Sequence, residues 1–425
     1  MVGQLGQILV SVADSIMVGK LLGTIPLAAI SLAVSILIIP MVFAIGVAYG
    51  LTPLIADADG AEDPAKATKY FKNGLVLNTA LGILVYGVLA IFALGAKYMG
   101  QDARVVEESM PYIHLVGLSI VPMMAFFAFK QFAEGLSDTK AGMRVSLVAN
   151  FLNILLNYPL ITGWGPFPEL GLAGAAVSTL FTRFLMVGGM ALYIRKNKRF
   201  AHHWSFWRST KIEWSSIKDI LSIGVPSGLQ YVFEAGAFAM SGIIVGMIGP
   251  VQQAAHQISL NIASISYMMV GGLGAAATIR IGNQKGRGDI PMLRLAGQSL
   301  FHLTFVLMVL TMISLILLRN FLPGFYSSDA EVLQYTSVLL IAAGLFQLPD
   351  GMQATTLGAL RGIQDVNLPT WITFISYWVI AVPVCYLLGV HWEYGPLGVW
   401  MGLTLGLIIA SIALYARFQS RTRRL

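Results

Sequence analysis

Three carboxylates stand where carboxylates are expensive. Asp14 lies in SVADSIMVG, Glu234 in QYVFEAGAF and Asp350 in FQLPDGMQ, each with apolar residues on both sides. An acid held at membrane depth is by default a functional residue. Burial readies a carboxylate to take up a proton near neutral pH. Its oxygens can equally supply one ligand of Na⁺ if hydroxyls and carbonyls complete the shell. Either use makes a coupling-ion site, with Na⁺ at Glu234 and Asp350 as the metal reading. The plainer alternative is an acid that only ties helices together, as nearby Ser11 and Ser15 could allow for Asp14. Asp350 follows Pro349, which removes a backbone hydrogen bond and is expected to break the helix locally. Phe346 lies one turn earlier on the same face, where its ring could support a cation.

Other polar residues fall in apolar runs. Asn150, Asn153 and Asn157 stand in NFLNILLN, and Asn153 and Asn157, four apart, share a helix face. Interhelical glue and a substrate or ion role weigh equally for them. Ser178 and Thr179 are more often packing residues than ligands, although Thr179 is kept with Asn153, Asn157 and Phe346 as a candidate neighbour of substrate or ion. Arg183 pairs with a carboxylate or reaches an interface. His114, His256 and His302 are isolated and read as packing residues. The runs MVFA and MMAFFAF would make a Met- and Phe-lined cleft suited to varied apolar cations. One Cys and six scattered His leave no cysteine or zinc site. The acids of DADGAED lack EF-hand spacing and read as a solvated loop. Neither HExxH nor GxSxG occurs, so no catalytic residue is assigned and an enzyme acting within the membrane is disfavoured.

These residues need elements that carry them through lipid. Charged residues are 11% of the chain and the apolar set is 56%, against roughly 25% charged in soluble proteins. The surplus apolar surface must face a bilayer. Runs long enough to cross one number twelve, near 1–20, 25–54, 72–98, 111–132, 142–162, 170–194, 220–248, 254–282, 295–318, 332–357, 367–389 and 396–418. The fold class is therefore an all-α polytopic membrane protein. With the ends of the spans counted in their connections, 22 of the 27 Lys and Arg follow even-numbered spans, four follow odd-numbered ones and Arg183 lies well inside a span. That bias puts both termini in the cytoplasm. The formal charge of +7 is thus a topology signal and implies no nucleic-acid partner. The basic stretch 195–219 is expected to lie on anionic headgroups through Trp204 and Trp207.

The chain also repeats itself at an offset of about 227 residues. Thr52 meets Thr278, Gly60 meets Gly286, Pro122 meets Pro349, and Gly135-Leu136-Ser137-Asp138 meets Gly362-Ile363-Gln364-Asp365. This gives two six-span lobes, 1–200 and 220–425, joined by a cytoplasmic linker at 201–219. Because six is even, the repeat is parallel, an alternating-access plan with its substrate site between the halves. No filter-like motif favours a channel. Gln7 matches Glu234, Ser241 matches Asp14 and Met123 matches Asp350, so the acids are not duplicated. The segment 219–227 has no counterpart before Met1, which suggests that the first helix lacks its start.

At these residues the chain resembles the multidrug and toxic compound extrusion (MATE) transporters, over essentially its whole length. The pieces that carry the likeness are ADSIMVG at 13–19, EGLSD at 134–138, NILLNYPLITG at 153–163, GLAGAAVST at 171–179 and the surroundings of Glu234 and Asp350. An acid in both span 7 and span 10 looks like the NorM branch. The resemblance implies efflux of bulky, mostly cationic organic compounds in exchange for Na⁺ or H⁺, with no other cofactor. It implies Glu234 and Asp350 as the C-lobe cation site and Asp14 as the N-lobe acid, with Asn153 and Asn157 beside it. The expected setting is the bacterial inner membrane, with lipids as neighbours and a monomer as the working unit. A lipid-linked oligosaccharide flippase of the same superfamily is the alternative. It calls for a cationic cleft, whereas Arg183 is the one base assigned to a span.

Overall fold

The computed structural model describes residues 17–19, 21–95 and 102–425. Among these, eleven helices are long and apolar enough to cross a membrane, and no strand occurs. They are span 2 (Thr24–Gly60), span 3 (Pro64–Gly95), span 4 (Ala103–Gly135), span 5 (Thr139–Thr162), span 6 (Gly171–Lys196), span 7 (Trp214–Gly246), span 8 (Pro250–Gly286), span 9 (Ile290–Leu317), span 10 (Ala330–Gly362), span 11 (Asn367–His391) and span 12 (Gly395–Arg424). The protein is an integral membrane protein with the expected helical fold. The predicted first span, with Asp14, lies outside the described residues except for 17–19.

Several helices run past their predicted ends, because polar residues at those ends are folded into the last turn. Span 2 continues to Gly60 and carries Asp57, which pairs with Lys66 Nζ at 3.2 Å. Half of the DADGAED segment is therefore helix and only the rest is loop. Span 10 passes unbroken through Pro349 and reaches Gly362, so the expected local break does not occur. Helix starts are closed by Asp side chains. Asp138 accepts from Ala141 N–H, Asp289 from Met292 N–H and Asp329 from Glu331 and Val332 N–H, satisfying donors that a helix leaves open.

The sequence repeat is a repeat of geometry. Ser137 and Gln364, 227 positions apart, both take the left-handed conformation, with φ of 64° and 65°. Asp138 N–H then bonds to Ala133 O, and Asp365 N–H to Leu360 O, at 2.8 and 2.9 Å. Gly135 packs so closely on Ile55 that a methyl would overlap it, and Gly362 does the same on Ile281. The same turn and the same helix approach are built twice.

By its packing the chain falls into two compact units, one running through Gly228 and the other covering Leu229–Leu425. The first holds spans 2 to 6, the linker and the opening turns of span 7. Here the linker is packed down. Lys72 Nζ donates to Trp207 O at 3.1 Å and Thr210 O at 2.8 Å and sits 5.3 Å over the Trp207 ring. The Asn73 side chain accepts from Glu213 N–H at 2.7 Å. Phe71 stacks on Phe132 at 4.2 Å and meets Trp207 at 5.4 Å. Trp204 and Trp207 are both half-buried, so these rings pack against protein. Trp214, 64% exposed, presents an indole to the surroundings instead.

The second unit packs span 10 between spans 8, 9 and 12. Its tightest contact is Gly358 against the backbone of Gly274, where Thr278 Oγ1 also donates to Gly358 O at 2.9 Å. Small residues bring two helices together where lipid gives no hydrophobic drive. Span 11 widens twice into π turns, over Ile375–Ala381 and Leu387–His391. Val382 N–H reaches back five residues to Tyr377 O, and Trp392 N–H five to Leu387 O. Such widened turns recur at functional sites.

Candidate functional site

In the unit formed by Leu229–Leu425, Glu234 and Asp350 come from spans 7 and 10 and lie close enough for each charge to act on the other. Asp350 is buried (3% exposed). Tyr267 of span 8 is the hydroxyl neighbour of Glu234, and Tyr377 of span 11 lies within range of the charge of both acids. Tyr377 Oη donates to Gln353 Oε1 at 2.8 Å, and Gln353 stands three residues after Asp350 on the same helix face. The widened turn at 375–381 begins the stretch that carries Tyr377. Four helices thus converge on two acids, with hydroxyl and amide oxygens around them.

Phe346 sits one turn before Asp350, as the spacing predicts, but its ring is packed. It meets Phe238 at 5.9 Å and Trp400 at 5.4 Å, and Phe238 meets Tyr377 at 6.2 Å. An aromatic wall therefore borders the acids on one side. His256, fully buried, contacts Ser241 Oγ through Nε2 at 3.3 Å and the Trp400 ring edge at 5.8 Å, in keeping with a packing role.

The unit ending at Gly228 holds a cavity of about 350 Å³. Met41, Met123, Phe126 and Phe127 line it, so the MVFA and MMAFFAF runs do face one space. Asn150, Asn153, Thr179 and Arg183 contribute the polar part. Asn153 Nδ2 donates to Ser178 Oγ at 3.1 Å and Thr179 Oγ1 at 3.5 Å, tying span 5 to span 6. Asn153 Oδ1 and Asn150 Nδ2 are buried without a hydrogen-bond partner, leaving an acceptor and a donor at the cavity wall. Asn157 is fully buried and is not part of the lining. Arg183 Nη1 donates to Ser119 Oγ at 2.6 Å.

The sequence pattern of the MatE family matches residues 1–159 and again 226–387, the two halves of the repeat. The chain belongs to the MatE family. It is a membrane transporter. It is 30% identical over 417 residues to a probable multidrug resistance protein NorM of Xanthomonas axonopodis pv. citri, covering 98% of this chain and 91% of that one. It is 32% identical over 429 residues to a protein of the same description from Rhizobium meliloti, covering 99% and 91%. Among solved structures, an outward-facing multidrug resistance MATE family transporter superposes with a TM-score of 0.90 at 22% identity, over 100% of this chain and 94% of the other. The eukaryotic MATE transporter AtDTX14 does so with 0.87 at 21%, over 100% and 95%. The MatE fold is therefore shared across its length.

Within this MatE chain, the structure brings together Glu234 and Asp350, and separately Asn153 and Thr179. Asp14 lies outside the described residues. The tyrosines Tyr231, Tyr267 and Tyr377 and the amide of Gln353 were not singled out from sequence. Neither was Arg361, assigned there to a connection but buried (7% exposed) in the last turn of span 10. Arg183 is thus not the sole base inside a span-forming helix. A polar side chain one turn from an intramembrane acid, as Gln353 is from Asp350, was the available signal.

Proposed function

We propose that this MatE-family protein is a multidrug efflux antiporter that exchanges bulky, mostly cationic organic compounds for Na⁺ or H⁺ in the bacterial inner membrane, both termini cytoplasmic. The observation that carries the reading is the pair Glu234 and Asp350, one partly and one fully withdrawn from the surface, on separate helices of one unit. A carboxylate removed from water needs a proton or a cation. Two of them sharing a site hold one strongly, and the surrounding Tyr and Gln oxygens complete a shell for either. The relatives named as multidrug resistance proteins support the substrate class. The cavity of Met and Phe walls with a few amide and hydroxyl groups suits varied flat apolar bodies. Alternating access then couples the two: ion bound at the acids from outside lowers affinity for drug, and its departure inside restores it.

The test is ethidium efflux from pump-deficient cells pulsed with Na⁺ or with acid. Wild type is expected to respond to one of the two, and Glu234→Gln and Asp350→Asn to accumulate normally while losing the response. Full exchange in both variants would overturn the assignment. Absence of efflux from well-expressed protein under either gradient would favour transport of a lipid-linked oligosaccharide.

A further inference from the structure

We propose that Arg361 is the tethered counter-cation of the Glu234–Asp350 site, neutralising Glu234 once the coupling ion has left and so setting how tightly that ion is held. The inference rests on the coupling role given above to these acids. Arg361 closes span 10, eleven residues beyond Asp350, or about 16 Å along the helix. Its side chain is buried in the unit, and its guanidinium lies 5.7 Å over the ring of Tyr231. Tyr231 precedes Glu234 by three residues on span 7, so ring and carboxylate share one helix face. Through Tyr231 the Arg361 guanidinium is held beside the helix face that carries Glu234, within range of its charge. Arg361, Glu234 and Asp350 form a chain of charges, base at one end and acids beyond.

The helix bearing Tyr231 is tied to span 11 at the same level. Gln230, one residue before Tyr231 and buried, donates through Nε2 to Thr370 Oγ1 at 3.0 Å and Val366 O at 3.3 Å. Two neighbouring acids with neither ion nor proton repel each other in a low dielectric. A fixed guanidinium makes the ion-free state tolerable, because it satisfies the carboxylate that the ion has given up. Ion and arginine then compete for one charge, and no extra cation need enter to reset the site. Arginine is suited to this, since it keeps its charge when buried and stacks on an aromatic face.

The experiment uses full-length protein in liposomes, with ethidium efflux driven by whichever of Na⁺ or H⁺ drives wild type. The half-saturating ion concentration is measured alongside the maximal rate. Arg361→Gln is expected to lower the half-saturating concentration about tenfold and to slow maximal turnover, since ion release is impeded. Arg361→Lys keeps the charge and stays within about twofold of wild type. Should Arg361→Gln fail to accumulate, Arg361→Met carries the test, because it keeps much of the buried volume, removes the charge and shifts the ion dependence in the same direction. A purely structural Arg361 would lower the rate or the yield and leave the half-saturating concentration unchanged, which overturns the proposal. Glu234→Gln separates the two readings. If it loses the ion response while Arg361→Gln and Arg361→Met leave ion affinity unaltered, only the counter-cation role falls. If wild type itself shows no ion response, both fall.

Discussion

Gly358→Ala is the perturbation whose cost can be worked most directly from the structure. A methyl at that position would overlap the Gly274 carbonyl oxygen and lie 2.7 Å from the Gly274 carbonyl carbon and 2.8 Å from its Cα. These are backbone atoms, which cannot swing aside as a side-chain tip does, so spans 8 and 10 must part by about half an ångström or more. Overpacking of this kind costs about 1–3 kcal/mol. The separation also strains the Thr278 Oγ1 bond to Gly358 O, 2.9 Å long, worth about 1 kcal/mol. The sum is a loss of about 2–4 kcal/mol, and with it the spacing of Tyr267 on span 8 from Asp350 on span 10. The control is Gly242→Ala on span 7, where a methyl meets nothing within 4 Å and the helix gains up to about 1 kcal/mol. Thermal unfolding of the two purified variants in one detergent compares them, with ion-driven ethidium efflux as the second reading. Gly358→Ala should melt well below wild type and Gly242→Ala at or above it. Equal melting temperatures would refute the argument that backbone contact sets this helix pair.

Two further outcomes follow from the charged ends of the helices. Asp365, 9% exposed at the side chain, accepts from Arg417 Nε at 2.7 Å and from Arg421, 43% exposed, at 3.3 Å. Arg417→Gln should lower the melting temperature, by about 1–2 kcal/mol in stability, whereas Arg421→Gln should cost under about 1 kcal/mol because solvent screens it; equal effects would contradict this. His203, in the linker helix Ala201–Trp207, is held below its ordinary value of 6.5 by burial against the N-lobe. Its ring meets Phe132 at 5.4 Å. The unfolded chain therefore takes up the proton first, so stability is full above about 6.5 and falls as the pH drops through the window below it. His203→Gln should flatten that part of the melting-temperature profile, and a profile unchanged by the substitution would discount His203 as its source.

Much of this was readable in the chain because lipid leaves few options for a polar group. Glu234 and Asp350 stood out as acids without an aqueous reason, and the repeat followed from turns such as Ser137-Asp138 and Gln364-Asp365 that need the same left-handed bend. What was hidden lies one step away from hydropathy. Tyr267 and Tyr377 are common residues in apolar helices, and only the meeting of spans 8 and 11 with the acids makes them part of a site. Arg361 reads as a cytoplasmic charge because hydropathy falls at the end of span 10, whereas the helix continues and buries it. Pro349 removes one hydrogen bond but does not break a helix held on several sides. Trp207 reads as a bilayer anchor because indoles favour interfaces, a preference that Phe71 and Lys72 satisfy as well as lipid does.

The docking of residues 201–228 on the first unit also bears on how the polypeptide is made. Folding of that unit is incomplete when the ribosome has delivered residue 200, for Lys72 still lacks its two carbonyl acceptors, Phe71 its indole, and Asn73 the Glu213 amide. Gly50 lacks its seat against Gly224, where the backbones approach too closely for any larger residue. The amino-terminal half is finished only when the opening turns of the seventh helix have been synthesised. A cut that leaves a self-contained fragment therefore falls inside a helix, after Gly228, and not in the polar stretch where a gene would ordinarily be divided.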